Sequence, residues 1–140
     1  MKIQNIELLE DSRAIFPLMH ELREHLTEAS FLELLSSAKQ DGHYKLLGAQ
    51  EGPKWVALMG YRIIVDFVHG RHLYIDDLVV SKACRSQGIG KLLLNHAKEL
   101  ALASGCSYLR LCTGIENHRG KKFYEDNKWD QRAVVYKLKV

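Results

Sequence analysis

Apolar positions change period several times along the chain, and each change marks an element. Residues 2–8 (KIQNIEL) alternate loosely and predict a strand. Asp11-Ser12 can cap a helix whose apolar positions Ile15, Leu18, Met19, Leu22 and Leu26 recur at helical spacing. Pro17 falls inside that pattern and predicts a late start or a kink. A second helix is expected after Thr27, with Thr27 and Ser30 as candidate caps and Phe31, Leu32, Leu34, Leu35 and Ala38 as its buried stripe. Turn signals at Asp41-Gly42 and Glu51-Gly52-Pro53 separate predicted strands at 44–50 and 54–65, and a third strand follows at 72–80. Short turns between successive strands imply an antiparallel meander.

From about residue 87 to residue 104 the helical period returns, with Ile89, Leu92, Leu93, Ala97, Leu100 and Ala101 on one face and Gly105 placed to end it. Residues 108–113 (YLRLCT) read as a strand, 117–127 as a helix and 133–139 as a β-rich tail. Strand, helix and strand in one sheet require a right-handed parallel crossover. The predicted order is β-α-α-β-β-β-α-β-α-β, an α/β fold on a mixed sheet.

Composition narrows the class. At 140 residues, 46% hydrophobic and 26% charged, the chain is expected to be one soluble domain spanning 1–140. No apolar run is long enough to cross a bilayer, and Asp11 and Arg13 interrupt the early hydrophobic region, so neither a membrane partner nor a signal peptide is expected. A cytoplasmic location follows from that reading. Cys84, Cys106 and Cys112 form no C-x-x-C pair and have no His at metal-ligand spacing, which points to free thiols and no metal. The seven His are scattered, and most read as surface or capping residues. Charge is uneven: residues 1–52 hold nine acids and five bases, residues 53–140 eight acids and fifteen bases. The basic half fits an anionic ligand. Nucleic acid is disfavoured, because no reader motif or aromatic interleaving accompanies the charge.

The stretch from Leu73 to Lys91, LYIDDLVVSKACRSQGIGK, concentrates the chemistry. An apolar strand carrying Asp76 and Asp77 runs into Arg85-Ser86-Gln87-Gly88-Ile89-Gly90, an R-x-x-G-x-G turn that opens a helix. Glycines permit close backbone approach, and free N–H groups at a helix start suit a pyrophosphate. Lys82, Arg85, Lys91 and Lys98 lie within 81–98 with no acid among them. Successive strand residues point to opposite faces, so Asp76 and Asp77 can share a cleft only if a bulge intervenes. A cleft carboxylate can take the proton that an attacking ammonium must lose.

The turn resembles the acetyl-CoA motif [QR]-x-x-G-x-[GA] of the GNAT superfamily of N-acetyltransferases. Asn117-x-x-Gly120-x-x-Phe123-Tyr124-Glu125, after the strand YLRLCT, resembles that family's second segment. The element order agrees along nearly the whole chain. The resemblance implies a central sheet of six to seven strands, splayed between the fourth and fifth. It implies acetyl-CoA as co-substrate, with no metal, and an amine acceptor attacking directly in a ternary complex. Arg85, Ser86, Gln87, Gly88, Ile89, Gly90 and Lys91 would grip the pyrophosphate. Backbone groups of the Leu78, Val79, Val80 segment would bond the pantetheine arm and polarise the thioester, with Asn117 and Lys121 flanking it. Tyr124 matches the general acid. YIDDLVV is similar to the acidic strand of polyamine-type members, which makes Asp76 the base; Asp77 reads as a substrate-binding or structural residue.

Three departures accompany the resemblance. Cys112 stands where some peptide-type members carry a glutamate base. Lys128-Trp129 replaces a common Gly-Phe, so Asn127 is expected to take the left-handed conformation. The tail is short for a full hairpin of sixth and seventh strands. A small cationic amine is the expected acceptor, with a peptide or protein amine, or a non-catalytic acyl-CoA-binding role, as alternatives. The resemblance admits a homodimer, for which no segment specifies an interface.

Overall fold

The structure is a computed structural model that describes residues 1–140. It divides into two compact units, residues 1–110 and residues 111–140. The first begins with β1 (Lys2–Asn5), α1 (Leu9–Ala14), α2 (Phe16–Leu22) and α3 (Glu28–Asp41). β2 (Lys45–Glu51), β3 (Lys54–Asp66) and β4 (Gly70–Val80) follow, then α4 (Ile89–Ala103) and β5 (Tyr108–Leu111). α5 (His118–Asp126) belongs to the second unit. No helix is long and apolar enough to cross a membrane.

Local chemistry explains most boundaries. Pro17 sits in the first turn of α2, where its missing N–H costs nothing, and the helical pattern breaks at Ile15 into α1 and α2. Thr27 caps α3 by a reciprocal box: its hydroxyl accepts from the Ser30 N–H while the Ser30 hydroxyl accepts from the Thr27 N–H. Both candidate caps therefore act together. Within α3 only Phe31 and Leu35 are buried, and Leu34, expected in the stripe, is 57% exposed. In α4 the buried set is Ile89, Leu93, Leu94, Ala97 and Ala101, so the stripe is rotated from Leu92 toward Leu94.

β2 to β4 form an antiparallel meander, β1 pairs antiparallel with β2, and the sheet order is β1-β2-β3-β4-β5. β5 is reached through α4, the kind of long connection that a parallel neighbour needs. The sheet has five strands, against six to seven expected. The difference lies in the tail: residues 131–140 adopt no regular structure and are exposed throughout. Alternation in AVVYKLK satisfies the period of a strand, but a strand also needs an edge to bond, and here the tail has none. One core cluster joins Ile6, Ile15, Leu18, Met19, Phe31 and Leu35 to Leu46, Leu58 and Val79 of the sheet. α4 contacts β3 and β4. Ala57, Met59, Leu73 and Ile75 are buried on the strands as well.

Candidate active site

The site begins with an irregularity in the β3–β4 ladder. Gly60 pairs with Asp77 and Tyr61 with Ile75, so Asp76 has no partner and is the extra residue of a β-bulge. Gly60 and Arg62 lie two apart on β3 and share a face, as do residues directly opposite them. Asp77 (opposite Gly60) and Tyr74 (opposite Arg62) therefore point the same way, although an unbroken strand would send them apart. The bulge brings both aspartates to one open cleft of about 420 Å³, lined also by Arg23, Ala38, Gly42, Tyr44 and Arg62.

Each carboxylate in the cleft is matched to a guanidinium. Arg62 grips Asp76 with its fork, Nε to Oδ2 and Nη2 to Oδ1, both at 2.8 Å. This bond holds the Arg62 guanidinium above its usual range. Its guanidinium carbon also lies 5.4 Å from the centre of the Tyr74 ring. Arg23 reaches Asp77 Oδ1 through Nε at 3.0 Å and Nη2 at 2.9 Å, and donates from Nη2 to the Asp76 carbonyl at 3.0 Å. The Tyr44 hydroxyl donates to Asp77 Oδ2 at 2.7 Å. Burial, with Asp77 next to it, pushes that phenol far above its ordinary range, so it stays a donor.

Room for this contact comes from Gly60. A Cβ there would collide with the Tyr44 hydroxyl and ring. Sequence reading found the aspartates but not Arg23, Tyr44, Gly60 or Arg62. Tyr44 and Gly60 each sat in a predicted strand, and nothing local marked them.

Beyond the aspartates β4 presents its backbone. The Ser81 N–H donates to the Val56 carbonyl at 2.8 Å. Hydrogen-bonded pairs alternate along an antiparallel ladder, so Val79 and Asp77 bond β3 while the N–H and C=O of Leu78 and Val80 face away from it. Val79 turns its backbone to β3 and its side chain into the core. A 3₁₀ turn at Lys82–Cys84 then leads through exposed Arg85, Ser86 and Gln87 to Gly88. Ser86 and Gly88 have φ of 66° and 78°, and Gly88 is the N-cap of α4. Left-handed backbone is costly for any residue with a Cβ, which explains the glycine. No side chain caps α4, and the space around the Gly88 Cα is open. Its first-turn N–H groups, with Arg85 and Lys91 exposed beside them, fit a pyrophosphate. Glu21 accepts from the Lys82 backbone N–H at 3.0 Å.

In the second unit Asn117 is the N-cap of α5: its Oδ1 accepts from the Gly120 N–H at 2.9 Å and its Nδ2 donates to Thr113 Oγ1 at 2.9 Å. Lys121 lies in the first turns that this cap secures. Tyr124 is half-buried, with ring centres of Phe123 and Trp129 at 5.3 Å and 5.8 Å, and burial pushes its phenol up. The left-handed residue after α5 is Lys128, at φ 71°, and not Asn127, which has φ −95° and donates from Nδ2 to the Phe123 carbonyl. Cys112 is exposed.

A second cluster was not expected. Asp66, His69 and His72 lie at the β3–β4 hairpin with ligand atoms within 4.8 Å of one another. Their D-x-x-H-x-x-H spacing is visible in the sequence once the hairpin is known. His72 is fully buried, its Nδ1 donating to the Gly70 carbonyl at 3.1 Å and its Nε2 accepting from Arg110 at 3.1 Å. The cation held there is thus the Arg110 guanidinium, 3.6 Å from Asp66. The His69 backbone N–H and then its ring hold the Asp66 carboxyl below its usual range.

Comparison with known proteins bears on the family and the fold. The family model described as the acetyltransferase (GNAT) family matches residues 6–128. The N-acetyltransferase YhdJ of Bacillus subtilis (strain 168), itself uncharacterised, is 35% identical over 111 residues, which cover 79% of this chain and 78% of that protein. The thialysine N-epsilon-acetyltransferase of Bos taurus is 35% identical over 78 residues, 56% of this chain and 46% of that one. An aminoglycoside N-acetyltransferase solved in complex with CoA superposes with a TM-score of 0.84 at 16% identity, over 99% of this chain and 95% of the other, and so shares the fold. The chain belongs to the GNAT family of acetyltransferases.

Proposed function

We propose that the protein transfers an acetyl group from acetyl-CoA to a primary amine that enters the Asp76–Asp77 cleft as an ammonium. The observation that carries this reading is the continuity of β4. Two cleft carboxylates, an outward-facing backbone at Leu78 and Val80, and the uncapped start of α4 follow one another along one stretch of chain. The family match spans both compact units, which supports treating 1–140 as one working domain.

In this reading the amine gives up a proton to Asp76, directly or through water, and its nitrogen forms a bond to the thioester carbon. The Leu78 or Val80 N–H donates a hydrogen bond to the carbonyl oxygen as negative charge grows there. As the C–S bond breaks, the departing thiolate takes the Tyr124 proton. Asp77, bonded by Arg23 on one oxygen and by the Tyr44 hydroxyl on the other, positions the acceptor, and Asp76 is assigned as base by its place in the YIDDLVV segment. The backbone from Arg85 to Lys91 holds the pyrophosphate. Asn117 contributes by fixing the start of α5, with Lys121 beside the same ligand. Tyr124 as acid rests on its match to the family pattern and on a phenol that burial keeps protonated.

The test is thiol release from acetyl-CoA across a panel of diamines, amino acids and peptides, with calorimetry of CoA in parallel. Turnover with small amines supports the reading. Turnover with peptides alone moves the acceptor to a protein amine. CoA binding without thiol release across the panel favours a non-catalytic acyl-CoA-binding module.

A further inference from the structure

We propose that the acceptor carries a carboxylate as well as its reactive amine: an amino acid with a side-chain amine, as opposed to a plain diamine or polyamine. The inference rests on the acetyltransferase reading above and concerns the acceptor alone.

The sequence shows two aspartates in a strand and so suggests a site for a bare cation. Structure changes the charge of that site. Asp76 and Asp77 face Arg62 and Arg23 in the same cleft, which is therefore balanced and not anionic. A ligand with positive charges alone must approach two guanidiniums, and every aspartate oxygen it wins leaves an arginine without its partner. A ligand with both charges exchanges partners and leaves none unpaired. Its ammonium takes an aspartate oxygen while its carboxylate takes a guanidinium fork, the geometry to which arginine is suited.

Arg62 is the better fork. Asp77 is bonded on one oxygen by Arg23 and on the other by Tyr44, and Arg23 is further tied to the Asp76 carbonyl. Asp76, by contrast, bonds through its side chain to Arg62, and its carboxylate is the more open of the two, 23% against 16% exposed. The guanidiniums of Arg62 and Arg23 are open to a similar degree, 35% and 41%. Tyr74 adds a cation–π contact to the Arg62 guanidinium, its ring centre 5.4 Å from the guanidinium carbon. The geometry thus assigns the acceptor carboxylate to Arg62 and the ammonium to Asp76. A cleft of about 420 Å³ is at the small end for ligand sites, which fits a free amino acid.

The experiment compares acceptors that differ by one carboxylate: L-lysine against pentane-1,5-diamine, and L-ornithine against butane-1,4-diamine. A charge-assisted forked contact predicts kcat/KM higher for the amino acid by about 10-fold or more in each pair. Arg62→Lys keeps the charge and loses the fork, and should shrink that ratio toward one. The ratio is the readout, because a general loss of structure lowers both members of a pair together. Equal or better efficiency with the diamines, or an unchanged ratio in the Arg62→Lys enzyme, overturns the inference and leaves the acetyltransferase reading standing. Absence of turnover in both pairs also overturns it; acetyl-CoA binding in calorimetry then tells whether the underlying reading fails as well.

Discussion

Gly60→Ala tests the architecture of the cleft with a single methyl group. Three effects compete. Alanine is the better strand residue, which favours the variant by ~0.5–1 kcal/mol. Against this, the new Cβ collides with the Tyr44 hydroxyl and ring, and forcing extra atoms into packed space costs ~1–3 kcal/mol. Displacing Tyr44 also breaks its bond to Asp77, and a hydrogen bond to a charged group is worth ~1.5–3 kcal/mol. The net expectation is a loss of ~2–5 kcal/mol, or a fall in Tm on the order of 10 °C.

Urea denaturation of four proteins isolates the cause: wild type, Gly60→Ala, Tyr44→Ala and the double variant. With Tyr44 truncated the obstacle is gone. Gly60→Ala should then be neutral, or stabilising by the ~0.5–1 kcal/mol of strand preference. The two substitutions must be coupled by at least ~2 kcal/mol. Equal cost of Gly60→Ala in both backgrounds would refute the packing argument, because the penalty would then lie in the backbone and not in Tyr44.

The other predictions are more direct. Tyr124→Phe should lower kcat by ~10²-fold or more while CoA affinity stays nearly unchanged, and an unaltered rate removes Tyr124 from the mechanism. Because burial raises that phenol, kcat should hold as pH rises toward the ordinary tyrosine range and fall only above it; a decline centred near pH 8 or 9 would assign the acid elsewhere. Gly88→Ala meets open space, so its cost is conformational, ~1–2 kcal/mol for left-handed backbone, and it should raise the KM for acetyl-CoA more than that for the amine. Asp66 has a depressed carboxyl, so its contribution to stability is full above the unfolded value of ~3.9 and is lost as pH falls through the lower folded value. Asp66→Asn should therefore be the less stable protein at pH 6, and the difference should vanish in strong acid when followed by urea midpoints.

Local pattern carried far in this chain. Pro17, Thr27 with Ser30, and Gly88 act on neighbours within a turn, so the breaks and starts of α2, α3 and α4 were legible from the sequence. The R-x-x-G-x-G turn was legible for the same reason: left-handed backbone and free helix N–H groups are properties of a few successive residues. Patterns that depend on a partner were less secure. The tail has a strand's alternation, but no strand edge bonds it. Leu34 and Leu92 fit a helical stripe, but the face that each helix turns to the core, marked by Phe31 and Leu35 and by Leu93 and Leu94, leaves them in solvent.

The acidic pair in YIDDLVV belongs to both levels. The sequence by itself determined that two carboxylates stand in an apolar strand just before an anion-binding turn. It also framed the question, since only a bulge lets both face one cleft. Tertiary structure decided the answer. Register between β3 and β4 leaves Asp76 without an opposite residue, and register is set by pairing along the whole ladder. Packing of helices on the sheet then brings Arg23 to Asp77 from 54 positions away, and the fold brings Tyr44 from 33. These contacts turned a pair of acids into a charge-balanced cleft. Charge along a sequence sums neighbours in the chain, whereas a ligand meets neighbours in space, and the two differ wherever the chain folds back on itself.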